Sequence, residues 1–288
     1  MWLITGASGT VGSAVLAAAS ASGQPYRALY RSAEEAAKAP PGTATVLGDF
    51  ADSASLAAAL DGIESVFLVC SPIRELVQLE TNVIDACIAA GGRRIVLSSA
   101  LGAGDYPKSF PSWHRQVEDR LKATALPHCI LRPNTFMQNV TAFFAPGIRA
   151  EGAFYAAMGT AEICFIDIRD VAVVAAQALS GAHDGKTYEL HGPESLSYGA
   201  VADRITRIAK MPARFVDIPR AAQEQAMTGL GMPAWQVTAL LDLQEYYTGG
   251  RGGVPDATLE HLLGRKPRRV DAYVAEHEAA FRSEPRAA

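Results

Sequence analysis

The stretch Thr5-Gly6-Ala7-Ser8-Gly9-Thr10-Val11-Gly12 leaves few folds open to this chain. It follows a short apolar run, Trp2–Thr5, and leads into a helical one, Val11–Ser22. Glycines at 6, 9 and 12 between a strand and a helix form a variant of the dinucleotide fingerprint. Gly6 permits the tight turn, Gly9 lets the backbone approach a pyrophosphate, and Gly12 lets the helix pack close on the strand. The amides at the helix N-terminus then face the anion. Every residue from Thr5 to Gly12 is therefore a candidate cofactor contact.

The alternation continues beyond this loop. Apolar runs at Pro25–Tyr30, Ala44–Leu47, Ser65–Val69, Arg94–Leu97 and His128–Arg132 predict strands. Between them, Ala33–Lys38, Ser53–Leu60, Ile73–Ala90 and Ser112–Ala125 predict helices. Continuous rather than alternating apolar strands suit a parallel sheet buried on both faces. The fold class expected is α/β, a doubly wound parallel Rossmann sheet with a smaller, mostly helical C-terminal substrate lobe. The division expected is 1–150 for the NAD(P)-binding domain, with further strands from about 162–191, and 151–288 for the lobe. Gly249–Gly253 reads as a flexible surface loop and the tail Ser283–Ala288 as frayed.

Composition narrows the function. Of 288 residues, 49% are hydrophobic and 19% charged, which suits a globular chain rather than a disordered one. A net charge of −4 argues against a general nucleic-acid binder. No apolar run approaches the roughly 20 residues of a membrane span, and no leader is visible at the N-terminus. Cys70, Cys87, Cys129 and Cys164 are widely spaced, without a C-x-x-C pair or Cys/His cluster. Reduced thiols, no metal site and a cytoplasmic location are the expectation.

The end of the second strand bears on which dinucleotide binds. No acidic residue occurs between Ser13 and Ala33 to hold a ribose 2′-hydroxyl. Arg31 and Ser32 stand there instead and suit a 2′-phosphate. NADP(H) is favoured, with use of NAD(H) left open. Asp49 and Phe50 fall where the adenine would lie. Val69, Cys70 and Ser71 end the fourth strand on the edge where ligands bind, with Cys70 read as a wall residue.

These motifs resemble the NmrA-like branch of the atypical short-chain dehydrogenase/reductases, including its quinone, triphenylmethane and ergot-alkaloid-type iminium reductases. The resemblance also covers LGDF at 47–50, LSSA at 97–100, ILRPNTFMQN at 130–139 and FIDIRDVA at 165–172. It extends to YELHGPESLSY at 188–198 and HLLGRKPR at 261–268. It implies that Ser98 lies near the ligand and that Pro133, Asn134 and Phe136 border the nicotinamide. It implies structural roles for Asp167 and Asp170. Where the family's Tyr-x-x-x-Lys pair belongs, this chain has Phe110 and His114, in the register set by Glu118. His114 is the candidate catalytic residue, with a structural role as its alternative; Tyr106 and Lys108 are a remoter substitute. Phe110, Trp113, Asn139, Met158, Phe165 and Trp235 are candidate substrate contacts, although such residues also build cores. The expected activity is NADPH-dependent hydride transfer to a small conjugated apolar acceptor. The alternative is an NADP(H)-sensing regulator with no turnover. Monomer and homodimer both remain open.

Overall fold

The structure, a computed structural model, describes residues 1–282. The chain divides into two compact units. The first comprises Met1–Pro133 and Ile168–Glu189; the second comprises Asn134–Asp167 and the chain from Leu190 onward. The division expected at residue 150 thus falls at Pro133, where a sheet strand ends, and a helix and strand later return to the first unit. The tail Ser283–Ala288 lies outside the described residues.

In the first unit, strands and helices alternate: β1 (Trp2–Ile4), α1 (Thr10–Ala21), β2 (Tyr26–Tyr30), α2 (Ala33–Ala36), β3 (Ala44–Leu47) and α3 (Ser53–Ala59). They continue as β4 (Ser65–Leu68), α4 (Leu76–Ala89), β5 (Arg94–Ser98), α5 (Ser109–Lys122) and β6 (His128–Pro133). The helix Ile168–Leu179 and the strand Lys186–Leu190 complete the unit's secondary structure. The sheet runs β3-β2-β1-β4-β5-β6 and ends on Lys186–Leu190. Its register is parallel, with Trp2 opposite both Tyr26 and Ser65. This is the doubly wound α/β sheet the sequence predicts.

Burial on both faces explains the apolar strands. Leu3, Val66, Leu68, Ile95 and Leu97 join a core with Leu56, Leu76, Val83, Ile84, Val117 and Leu121 from α3, α4 and α5. The alternate residues Ile4, Phe67 and Val96 are equally buried on the opposite face, where α1 packs with the helix Ile168–Leu179. Each fully buried Leu or Phe contributes about 1.5–3 kcal/mol. No described helix is long and apolar enough to cross a membrane.

The second unit is mostly helical, with helices at Tyr198–Ala209, Arg220–Gly229, Ala234–Thr248, Thr258–Leu263 and Val270–Glu276. Two small strand pairs accompany them: Ala153–Ala156 with Arg214–Asp217, and Glu162–Ile163 with Leu196–Ser197. The glycine-rich stretch 249–253 is stitched into this unit rather than loose. The Gly252 carbonyl accepts from the Cys164 amide at 2.9 Å, and that of Gly253 from the Ser195 hydroxyl at 2.6 Å. Gly253 serves a close approach, since a Cβ there would lie 2.8 Å from the Glu162 carbonyl oxygen.

Candidate functional site

The site begins at the carboxyl end of β1. Thr5 donates its hydroxyl to the Phe67 carbonyl at 2.8 Å and accepts from the Val69 amide at 3.0 Å. Those bonds clamp the ends of β1 and β4. Gly6 then turns the chain at φ +59°, where a Cβ would meet Val69 Cγ1 at 2.7 Å. A Cβ on Gly12 would lie only 2.1 Å from the Gly6 carbonyl oxygen, so α1 starts directly against the turn. Gly9 is the N-cap and offers no side chain to the first amides of α1; no acidic residue occupies that turn. Ser8, Gly9 and Thr10 are exposed, Val11 is half-buried and Ala7 is buried. Free amides, the positive end of a helix and an approach without Cβ atoms suit a pyrophosphate. The residues present fit a dinucleotide.

Its neighbours along the edge fall as follows. Arg31 is exposed at the end of β2, and Ser32 caps α2 by accepting from the Glu35 amide at 3.2 Å. Arg27 instead donates to the Ala59 and Asp61 carbonyls, which fixes it to the end of α3. Asp49 accepts from the Ala51 amide at 2.8 Å, and the Phe50 carbonyl accepts from Asn82 Nδ2 at 2.9 Å. Cys70 is half-buried; burial first, then the charge of Glu80, pushes its thiol up to about 12. A thiol held protonated in this way is a poor nucleophile. Ser71 is exposed beside it, and Ser98 is buried at the end of β5.

α5 carries Phe110, Trp113, His114 and Glu118. Phe110 and Trp113 pack edge to face with centroids 5.1 Å apart. His114 is buried, and its Nδ1 has no hydrogen-bond partner among the described residues. Burial pushes its pKa down to about 4, against the opposing pull of Glu118. Desolvation keeps the imidazole uncharged near neutrality. The pH dependence of turnover between about pH 5.5 and 8 should therefore match in wild type and His114→Asn. A wild-type limb that the substitution removes would restore His114 as a titrating acid.

In the second unit, Asn134 is saturated. Its Nδ2 donates to the Gly252 carbonyl at 2.8 Å and to His191 Nδ1 at 3.2 Å. Its Oδ1 accepts from the Thr135 amide at 2.7 Å and the Tyr247 hydroxyl at 3.2 Å. Its backbone amide donates to the Leu190 carbonyl at 3.0 Å. Pro133 is buried at the end of β6, while Phe136, Asn139 and Trp235 are half-buried. Met158 and Phe165, candidate substrate contacts whose other reading is a core role, are buried. Phe165 packs near Tyr198, within an aromatic group that includes Phe144, Phe154 and Phe215. Asp167 accepts from Gln138 and Arg268, a structural role. Among the described residues, no group of His, Cys, Asp and Glu could hold a metal ion.

The sequence reading missed Glu80. It lies on the buried face of α4, and neither oxygen has a hydrogen-bond partner among the described residues. The signal was its spacing, since 76, 80, 83, 84 and 87 form one helical stripe.

Residues 6–180 match a family model described as NAD(P)H-binding. The NAD(P)H azoreductase of Xenophilus azovorans is 33% identical, over 98% of this chain and 99% of its own. The (4-alkanoyl-5-oxo-2,5-dihydrofuran-3-yl)methyl phosphate reductase of Streptomyces griseus is also 33% identical, over 99% and 100%. Among solved structures, the NADPH-dependent quinone oxidoreductase of Escherichia coli in complex with NADPH is 28% identical, with a TM-score of 0.86. That match covers 96% of this chain and 99% of the other.

Proposed function

The chain belongs to the NAD(P)H-binding family and is an NAD(P)H-dependent oxidoreductase; we propose that it passes hydride from NADPH to a small, conjugated, apolar acceptor without a tyrosine acid. The observation that carries this reading is on α5. Phe110 has no proton to give, and His114 is held neutral by burial. An acceptor that needs no acid must already be electron-poor, so that the incoming charge is delocalised and a proton follows from water. Quinones, iminium ions, enones and extended dyes meet that condition. The relatives' printed names share a conjugated acceptor group: an azo bond, a quinone, and a ring C=C conjugated to carbonyls, the last on a phosphate ester.

The nicotinamide supplies the hydride when bound; the chain's part is to hold and orient the dinucleotide on the Gly6–Gly12 cradle and the sheet edge. NADPH oxidation against a panel of those four acceptor classes tests the reading. Turnover on at least one is expected. Tight NADPH binding with no turnover on any would overturn it in favour of an NADP(H)-sensing regulator.

Arg31 is proposed to read the 2′-phosphate. Arg31→Ala should weaken NADPH binding by about 10- to 100-fold while leaving NADH nearly unchanged, because a charged hydrogen bond contributes about 1.5–3 kcal/mol. Calorimetric titration with both cofactors checks this; equal losses would remove the assignment.

A further inference from the structure

Glu80 is completely enclosed, with no hydrogen-bond partner for either oxygen among the described residues. It faces the backbone amide of Cys70, at the carboxyl end of β4. Two contacts tie this spot to the dinucleotide cradle. Val69, next to Cys70, is bonded through its amide to the Thr5 hydroxyl, and its side chain closes over Gly6. Asn82, two residues beyond Glu80, holds the Phe50 carbonyl in the loop that follows β3. The first half of α4 therefore backs the end of β4 and the loop after β3.

We propose that Glu80 is a positioning residue of the dinucleotide site: as a neutral acid it lets α4 close against the end of β4 and the loop after β3, and as a carboxylate it opens that wall, so that cofactor binding is linked to one proton. The inference rests on dinucleotide binding and not on the acceptor proposed above.

A buried carboxylate with nothing but the Cys70 amide facing it is too costly to keep. It holds its proton or moves towards water, and here moving separates α4 from Cys70. An anionic cofactor on the same edge adds negative charge and favours the neutral acid further. Burial already pushes Glu80 up to about 8, with the Cys70 amide pulling the other way.

Among the described residues, the surrounding charges give the Glu80 oxygens no hydrogen-bond partner. α3 contributes no titratable side chain. From α5, His114 is neutral, Glu118 is bound by Arg132 and Lys122, and Arg120 pairs with Asp85 of α4. From β4 comes the Cys70 thiol, with Arg31 and Glu75 acting on that thiol.

The test is NADPH affinity against pH, with proton uptake measured by calorimetry in two buffers of different ionisation enthalpy. For the wild type, Kd should be flat near neutrality and rise towards about tenfold per pH unit above Glu80's pKa, with uptake approaching one proton. Glu80→Gln, whatever its affinity at neutrality, should show no rise with pH and no proton uptake. Glu80→Leu, which has no polar atom to bury, is measured in parallel in case the amide disturbs the fold. A flat wild-type profile without uptake overturns the proposal. So does a rise that persists in either folded variant, since the proton then belongs elsewhere. Neither readout requires turnover, so failure of the acceptor reading leaves this result intact.

Discussion

Glu118→Gln is expected to destabilise the protein by about 3–5 kcal/mol, the usual cost of breaking a buried ion pair from one side. The Glu118 side chain is 1% exposed and that of Arg132 is 13% exposed. Glu118 Oε1 accepts from the Ser99 hydroxyl at 2.6 Å and from Arg132 Nε at 2.8 Å. Its Oε2 accepts from Arg132 Nη2 at 2.7 Å and Lys122 Nζ at 2.8 Å. Burial alone would raise the pKa of this carboxyl. The bonds from Arg132, Lys122 and Ser99, together with the Arg132 charge, outweigh burial and hold it at about 2.

The amide variant leaves the Arg132 guanidinium with a single carboxylate, Glu189 at 3.3 Å. The double variant Glu118→Leu, Arg132→Met should recover most of the loss, because it removes both charges from the interior. Urea unfolding of the three proteins decides the point. A single-variant cost below about 1 kcal/mol would mean that water reaches the pair.

The glycine cradle and strand order were legible because each depends on local sequence. Gly6 and Gly12 are required within one turn, and each strand is a short apolar run between helical ones. Glu118 was legible only as a marker of register. Its partner Arg132 comes from another element, and strand periodicity says nothing of which helix residue meets it. His114 was named, but its charge state depends on surroundings that only the fold assembles. Glu80 is a different case. Its place on the apolar stripe of α4 was visible from Leu76, Val83, Ile84 and Cys87, but a lone glutamate in a helix reads as solvated. Asn134 shows the reverse limit: its position at a strand end was foreseen, while the four bonds that occupy its side chain depend on Gly252, His191 and Tyr247, all distant in sequence.

Glu80 and His114 together make an unusual stability profile the second large expected effect. Glu80 has a folded-state pKa of about 8 against 4.5 for the free group. Its contribution is fully present below 4.5 and is lost as pH rises to about 8, a change of at most about 5 kcal/mol. His114 works in the opposite sense. Its pKa falls from 6.5 to about 4, so its contribution is present above 6.5 and is lost as pH falls through about 4, a change of about 3 kcal/mol.

Between about pH 4.5 and 6.5 the two slopes, about 1.4 kcal/mol per pH unit each, cancel. Stability should therefore show a plateau there and fall on both sides, with Glu118 adding to the acid limb as pH drops towards its pKa of about 2. Glu80→Leu should convert the plateau into a rise and abolish the alkaline fall. Denaturant unfolding at intervals across this range measures both profiles. A stability difference between variant and wild type that stays constant with pH would show that Glu80 is ionised in the folded protein, and the buried neutral acid would have to be abandoned.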